Sequence, residues 1–147
     1  MLNKAYVEIT NQCNLSCAFC PKTRRPPRRM SAAEFAAAAE ALQGHVRFLY
    51  LHLMGEPLSH PELGEILNIA GQKGFRVCIT TNGTLLEQRS AVLTAHAAVL
   101  HKLSVSLHAL EGSGVGLSMD AYLKSVWSVC SLLRGQGVHC ALRLWNE

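Results

Sequence analysis

Five short runs of this chain alternate apolar and polar residues with a period of two, and the stretches between them read as helices. The alternating runs predict strands over residues 5–10, 46–53, 76–81, 102–108 and 138–144. Ser31-Ala32-Ala33-Glu34 is a capping box that opens an alanine-rich helix to about residue 43. Pro61 suits the first turn of a second helix, and Gly74 suits its C-terminal cap. Asn82-Gly83 signals a turn after the third strand, and a third helix follows over about 87–99. Gly112, Gly114 and Gly116 mark a flexible loop, after which Ser118 caps a fourth helix to about residue 133.

Strand and helix in alternation imply parallel strands joined by right-handed helical crossovers. Parallel strands buried on both faces would be uniformly apolar, and these are not. Tyr6, Glu8 and Thr10 lie on one side of the first strand, with Ala5, Val7 and Ile9 on the other. Tyr50 and His52 oppose Leu49, Leu51 and Leu53 in the second; Cys78, Thr80 and Asn82 oppose Val77, Ile79 and Thr81 in the third. In the fourth, Ser104, Ser106 and His108 oppose Leu103, Val105 and Leu107. One face of the sheet therefore packs on helices while the other meets a polar interior. The predicted fold is α/β: a partial (βα) barrel of about four and a half βα units around a wet cavity. In such barrels the chemistry sits at the C-terminal strand ends.

At 147 residues the chain makes one domain, 1–147, with enough apolar content (49%) for a sizeable core. No apolar run is long enough to cross a bilayer, and the first residues lack the pattern of a signal peptide. The expected location is the cytoplasm, where six cysteines read as ligands or core thiols rather than disulfides. The net charge of +4 is modest, and its densest basic stretch is Lys22, Arg24, Arg25, Arg28 and Arg29. With prolines at 26 and 27 and no aromatic residue, that stretch reads as a solvated loop; nucleic-acid binding is not expected.

Cys13, Cys17 and Cys20 carry the strongest chemical signal, spaced C-x3-C-x2-C directly after the first strand. Thiolates suit iron–sulfur clusters, zinc and copper(I). A closed zinc site or an electron-transfer cluster usually takes four protein ligands. Three leave one metal corner open for a substrate, and zinc stays the alternative occupant. Two further motifs fall at strand ends: Met54-Gly55-Glu56-Pro57 after the second, and Thr80-Thr81-Asn82-Gly83 after the third. Cys78, Cys130 and Cys140 are scattered and read as small buried apolar residues.

Together the cysteine loop, with Phe19 before its last cysteine, and the two strand-end motifs resemble the radical S-adenosylmethionine (radical SAM) superfamily. Met54 stands where the Gly-Gly-Glu-Pro motif of that family has its first glycine. The resemblance implies a partial barrel of the radical SAM type and a 4Fe–4S cluster held by Cys13, Cys17 and Cys20. Its fourth iron would be chelated by S-adenosylmethionine, which one electron cleaves to methionine and a 5′-deoxyadenosyl radical. That radical would abstract hydrogen from an unknown substrate. No catalytic residue is expected beyond the cluster. For cofactor binding, the resemblance implies Phe19 beside the adenine, and Gly55, Glu56 and Pro57 at the cosubstrate's ammonium group. Asn82, Ser106 and Arg143 complete that set, with Asn146 weaker; His52 and His108 read as cavity wall. An electron donor such as flavodoxin or ferredoxin is the expected partner. The family's barrel has six βα units, so the chain is expected to be the N-terminal part of a core domain. The alternative is a truncated, non-catalytic iron–sulfur or zinc-binding fragment.

Overall fold

The computed structural model describes residues 2–110 and 116–144. Gly112, Gly114 and Asn146 lie outside them. Five strands, β1 (Lys4–Tyr6), β2 (Phe48–Tyr50), β3 (Arg76–Thr81), β4 (Leu100–Ser106) and β5 (His139–Arg143), alternate with four helices. These are α1 (Ala32–Leu42), α2 (Leu63–Gln72), α3 (Leu86–Ala95) and α4 (Met119–Gly135). Short 3₁₀ turns at Pro57–Ser59 and Leu107–Ala109 follow β2 and β4.

Every strand pairs in parallel with its neighbour in sequence, in the order β1-β2-β3-β4-β5. A doubly wound sheet reverses its order at a switch point; this one never does, so the sheet rolls in one direction as a partial barrel. Leu49, Val77, Ile79, Leu103 and Val105 are buried between the sheet and the helices. Phe35 of α1, Ile66 and Leu67 of α2, Leu93 of α3 and Val126 of α4 meet them in one core. Each such side chain removed from water contributes about 1.5–3 kcal/mol. The opposite face carries Tyr6, Tyr50, His52, Cys78 and Thr80. Their rings and polar groups touch: the Tyr6 and Tyr50 centroids are 5.0 Å apart, and His52 Nε2 lies 3.1 Å from Thr80 Oγ1.

The helix ends follow the local chemistry. The Ser31 hydroxyl accepts from the Glu34 amide while the Glu34 carboxylate accepts from the Ser31 amide, the reciprocal capping box read from the sequence. Ser118 caps α4 by accepting from the Ala121 amide. Gly74 follows α2 at φ +80°. Pro61 lies ahead of α2, whose N-cap is Glu62, and so is not in its first turn. The third helix and fourth strand each begin and end earlier than the pattern predicts. His96 terminates α3, its ring tied to the Val92 carbonyl and Asn68 Oδ1.

Both β1 and β2 are shorter as paired strands than their alternation predicts. Past Tyr6 the chain hands its pairing over: Thr10 bridges antiparallel to Arg29, and Ile9 accepts from the Met30 amide. Alternation persists through Val7 and Ile9, both buried, but their partner is the segment returning from the cysteine loop. Leu53 does not join the helix-packed face; it is 62% exposed beside that loop. Among the described residues, no helix is long and apolar enough to cross a membrane.

Candidate metal and cosubstrate site

The segment after β1 and the turn after β2 enclose one cleft of about 690 Å³, lined by Cys13, Cys17, Cys20, Leu53, Met54 and Gly55 among others. All three thiols of the cysteine loop thus meet one space, although Cys13 is exposed, Cys20 partly buried and Cys17 buried. The loop's start is set by Gly55. At φ +80° it presses against the backbone of residues 10–12: an added Cβ would lie 2.5 Å from the Thr10 oxygen and 2.7 Å from the Gln12 oxygen. The next amide, that of Glu56, donates to the Gln12 carbonyl at 2.8 Å. Cys13 follows immediately, so the turn after β2 holds the first thiol in place.

Glu56 is 1% exposed, and its carboxylate is fully engaged within the protein. It accepts from the Leu58 amide (2.9 Å), the Thr81 hydroxyl (2.8 Å) and the Asn82 amide (2.7 Å). Burial pushes its carboxyl pKa up, while the three donors pull it down. The side chain therefore ties the turn after β2 to the turn after β3, with Pro57 buried beside it. Of this turn, Leu53, Met54 and Gly55 line the cleft and Glu56 does not.

Asn82 carries the tie onward to the cysteines. Its Nδ2 donates to Cys13 Sγ at 3.7 Å and to Asn14 Oδ1 at 2.9 Å, and the Leu15 amide donates to the same sulfur at 3.4 Å. Asn14 in turn donates to Thr84 Oγ1 at 2.9 Å. From below, the Tyr122 hydroxyl donates to the Asn82 carbonyl at 2.8 Å, and burial pushes that phenol's pKa up to about 12. Gly83 leaves room for this contact; a Cβ there would lie 2.8 Å from the Tyr122 oxygen.

Phe19, Ser106 and Arg143 are not among the residues that line this cleft. Phe19 is 42% exposed, and its ring stacks edge-on to His108 at 5.0 Å. Ser106 ends β4 on the inner face in register with Arg143 of β5. Arg143 is exposed, and its charge together with burial lowers the pKa of His52 to about 4, burial being the larger cause. Cys17 Sγ donates to the Ala109 carbonyl at 3.6 Å. Desolvation raises the pKa of Cys17 first, then the neighbouring Cys13 and Cys20; Cys13, though its residue is exposed, is likewise raised, chiefly by partial desolvation of its sulfur.

Do these residues fit an iron–sulfur group? The donor set does: three thiols from one loop face one cleft, and two N–H groups point at Cys13 Sγ, as a thiolate requires. The raised pKa values of Cys13 and Cys17 mean that metal binding there must release protons. Among the described residues, no three Cys, His, Asp or Glu side chains converge within metal-binding distance.

Several participants carry no motif of their own. Glu8, on the inner face, accepts from the Met54 amide at 2.9 Å and pairs with Arg25 at 2.6 Å. His60 is buried, accepts from the Glu62 amide and so donates through Nε2 to the Met30 carbonyl. Arg89 donates to the Leu58 and His60 carbonyls. Nearness to a motif is the only sequence signal for Glu8 and His60, and α-helical Arg89 offers none. The basic stretch is in part paired: besides Arg25–Glu8, Arg28 meets Glu34 at 2.6 Å.

The radical SAM superfamily family model matches residues 7–143. A GTP 3′,8-cyclase of Chlorobaculum tepidum is 34% identical over 113 residues, covering 71% of this chain and 32% of the relative. A probable GTP 3′,8-cyclase of Methanothermobacter thermautotrophicus is 35% identical over 156 aligned positions, covering 90% and 49%. The chain thus spans half or less of the length of these curated relatives. Among solved structures, BtrN in complex with AdoMet and 2-DOIA superimposes with a TM-score of 0.72 at 21% identity, covering 97% of this chain and 57% of that one. Streptococcus suis SuiB bound to S-adenosylmethionine gives 0.72 at 19% identity, covering 95% and 33%. These likenesses bear on the fold and agree with the one-directional sheet. The chain belongs to the radical SAM superfamily, whose members bind a 4Fe–4S cluster and S-adenosylmethionine.

Proposed function

We propose that this chain is the core of a radical SAM enzyme, with Cys13, Cys17 and Cys20 as ligands of its cluster. The single observation carrying this reading is that all three thiols line the cleft walled by Met54–Gly55. The cluster that these three thiols would hold would supply the electron for reductive cleavage of S-adenosylmethionine, the chemistry that yields a hydrogen-abstracting radical. The chain's own residues supply position. Gly55 presents backbone to the cleft, where carbonyl oxygens suit the cosubstrate's ammonium group. Glu56 and Pro57 act beneath it, the carboxylate locking the two turns together. Asn82 fixes the orientation of Cys13. Phe19 offers a partly exposed ring for the adenine, and Ser106 and Arg143 offer polar groups at the ends of β4 and β5. A low-potential donor such as flavodoxin or ferredoxin is the partner this chemistry calls for.

The test is anaerobic reconstitution with iron and sulfide, then dithionite and S-adenosylmethionine, with 5′-deoxyadenosine measured. Formation of 5′-deoxyadenosine by wild type and its loss in Cys17→Ala is the expected result. A cluster that forms without cleaving S-adenosylmethionine, or zinc in its place, overturns it.

A further inference from the structure

The end of the inner face farthest from the thiols is basic. Lys4 and Arg76 open β1 and β3, and Lys102 is the third residue of β4. The register sets Lys4 beside Phe48 and Phe48 beside Arg76, while Lys102 follows Cys78 one strand over. Their charges converge: all three pull the Cys78 thiol pKa down, against the burial that raises it. Lys4 Nζ lies over two rings of the inner face, 5.6 Å from the Tyr6 centroid and 5.4 Å from that of Tyr50. His101 packs against Phe48 at 4.6 Å between centroids and closes the far side of this aromatic rim.

Nothing in the described protein neutralises these cations. Among the described residues, the ion pairs are Arg25–Glu8, Arg28–Glu34 and Lys73–Glu40, none of which involves the row. Arg76 spends one nitrogen on the Leu100 carbonyl at 3.0 Å, and its buried Nε has no hydrogen-bond partner. Arg76 and Lys102 are half-buried, while Lys4 is exposed; half-buried like charges without a counter-ion cost stability, and a bound anion relieves that cost. Arg76 adds a planar fork suited to an oxyanion, and the two lysines add point charges.

We propose that Lys4, Arg76 and Lys102 form an anion subsite that takes the phosphate or carboxylate group of a small-molecule ligand. At about 3.3 Å per residue, β3 places Arg76 roughly 17 Å from Thr81 and the thiol end. A ligand reaching both ends is therefore elongated, with its anionic group remote from the cleft. That use as a substrate subsite rests on the function proposed above; the anion binding itself does not.

Isothermal titration of the protein at low ionic strength tests this, with pyrophosphate and succinate as probes. Wild type is expected to bind at least one of them, more weakly as salt is added. Lys4→Met and Lys102→Met each weaken binding about tenfold, as expected for a lost charged contact, and the double variant abolishes it. Lys4→Arg keeps binding, which separates loss of charge from loss of fold. Preference for pyrophosphate identifies a phosphate-bearing ligand, and preference for succinate a carboxylate. No binding of either probe by folded wild type, or undiminished binding by the double variant, overturns the proposal. Cys17→Ala is expected to titrate as wild type does, so failure of the cluster reading and failure of this one appear in different assays.

Discussion

Replacing Gly55 by alanine tests the claim that the turn after β2 sets the position of the cysteine loop. Two costs arise at that residue. The first is conformational: φ is +80°, a region that costs an L-residue about 1–2 kcal/mol. The second is steric: the new methyl would stand 2.5 Å from the Thr10 oxygen, 2.7 Å from the Gln12 oxygen and 2.9 Å from the Asn11 carbonyl carbon. All three are backbone atoms of a segment already pinned by the Glu56–Gln12 and Thr10–Arg29 contacts, so none can swing aside as a side-chain tip would. Forced backbone shifts of this kind cost about 1–3 kcal/mol, giving a total of about 2–5. Gly44 supplies the control. Its φ is +79°, but nothing lies within 4 Å of the position its Cβ would take. Gly44→Ala therefore bears the first cost alone. In urea, with a slope of about 1–3 kcal/mol per molar, Gly55→Ala should unfold on the order of 1 M before Gly44→Ala. The displaced loop should also lower the iron bound per chain after reconstitution, which Gly44→Ala leaves unchanged. Equal midpoints and equal iron content for the two variants would refute the reasoning.

Other expectations follow from the same network. Tyr122→Phe leaves the buried Asn82 carbonyl without its hydroxyl donor; unfolding midpoints should show a loss of about 1–3 kcal/mol. His52 has its pKa lowered from 6.5 to about 4, so it folds neutral. The stability this contributes is fully present above the unfolded value near 6.5 and is lost as pH falls through about 4. The nominal shift is worth roughly 3 kcal/mol, reduced to about 1–2 because the ring is partly solvated. His52→Gln should flatten wild type's decline over that window by this amount, and an unchanged pH profile would remove the argument. Glu56→Gln turns an amide N–H₂ or a lone acceptor toward donors at Thr81, Asn82 and Leu58. A loss of about 1–3 kcal/mol, with a matching drop in cluster retention, is expected from urea titration and iron assay.

Period-two alternation carried the sheet into view because each strand has one face on helices and one on a polar cavity. It overstated β1 and β2 for a physical reason. Alternation reports which side of a strand is buried and says nothing of what it pairs with. Residues 7–10 keep their alternation while pairing with residues 29 and 30, across the cysteine loop. The same limit applies to the motifs. Cys13, Cys17 and Cys20 are close in sequence, so their shared cleft could be read directly. The family resemblance implies that Glu56 faces the cosubstrate's ammonium group. The structure buries it, because Thr81, Asn82 and Leu58 bring donors from two turns that sequence distance keeps apart.

That burial gives the three strand-end motifs one mechanical identity. Gly55 holds the backbone ahead of Cys13, and Glu56 binds Thr81 and Asn82. Asn82 returns through its amide to Cys13 and Asn14. The contacts form a closed circuit from β1 through β2 to β3, anchored below by Tyr122 of α4. Within it, the position of the first thiol depends on two turns it never follows in sequence. Such coupling predicts non-additivity. If Gly55 and Asn82 act on Cys13 through one circuit, Gly55→Ala combined with Asn82→Ala should cost less stability than the sum of the single changes. The shortfall should be about 0.5 kcal/mol or more, the range for residues sharing a network. Strict additivity in a double-mutant cycle would mean that the two turns hold Cys13 independently, and the circuit would be no more than adjacency.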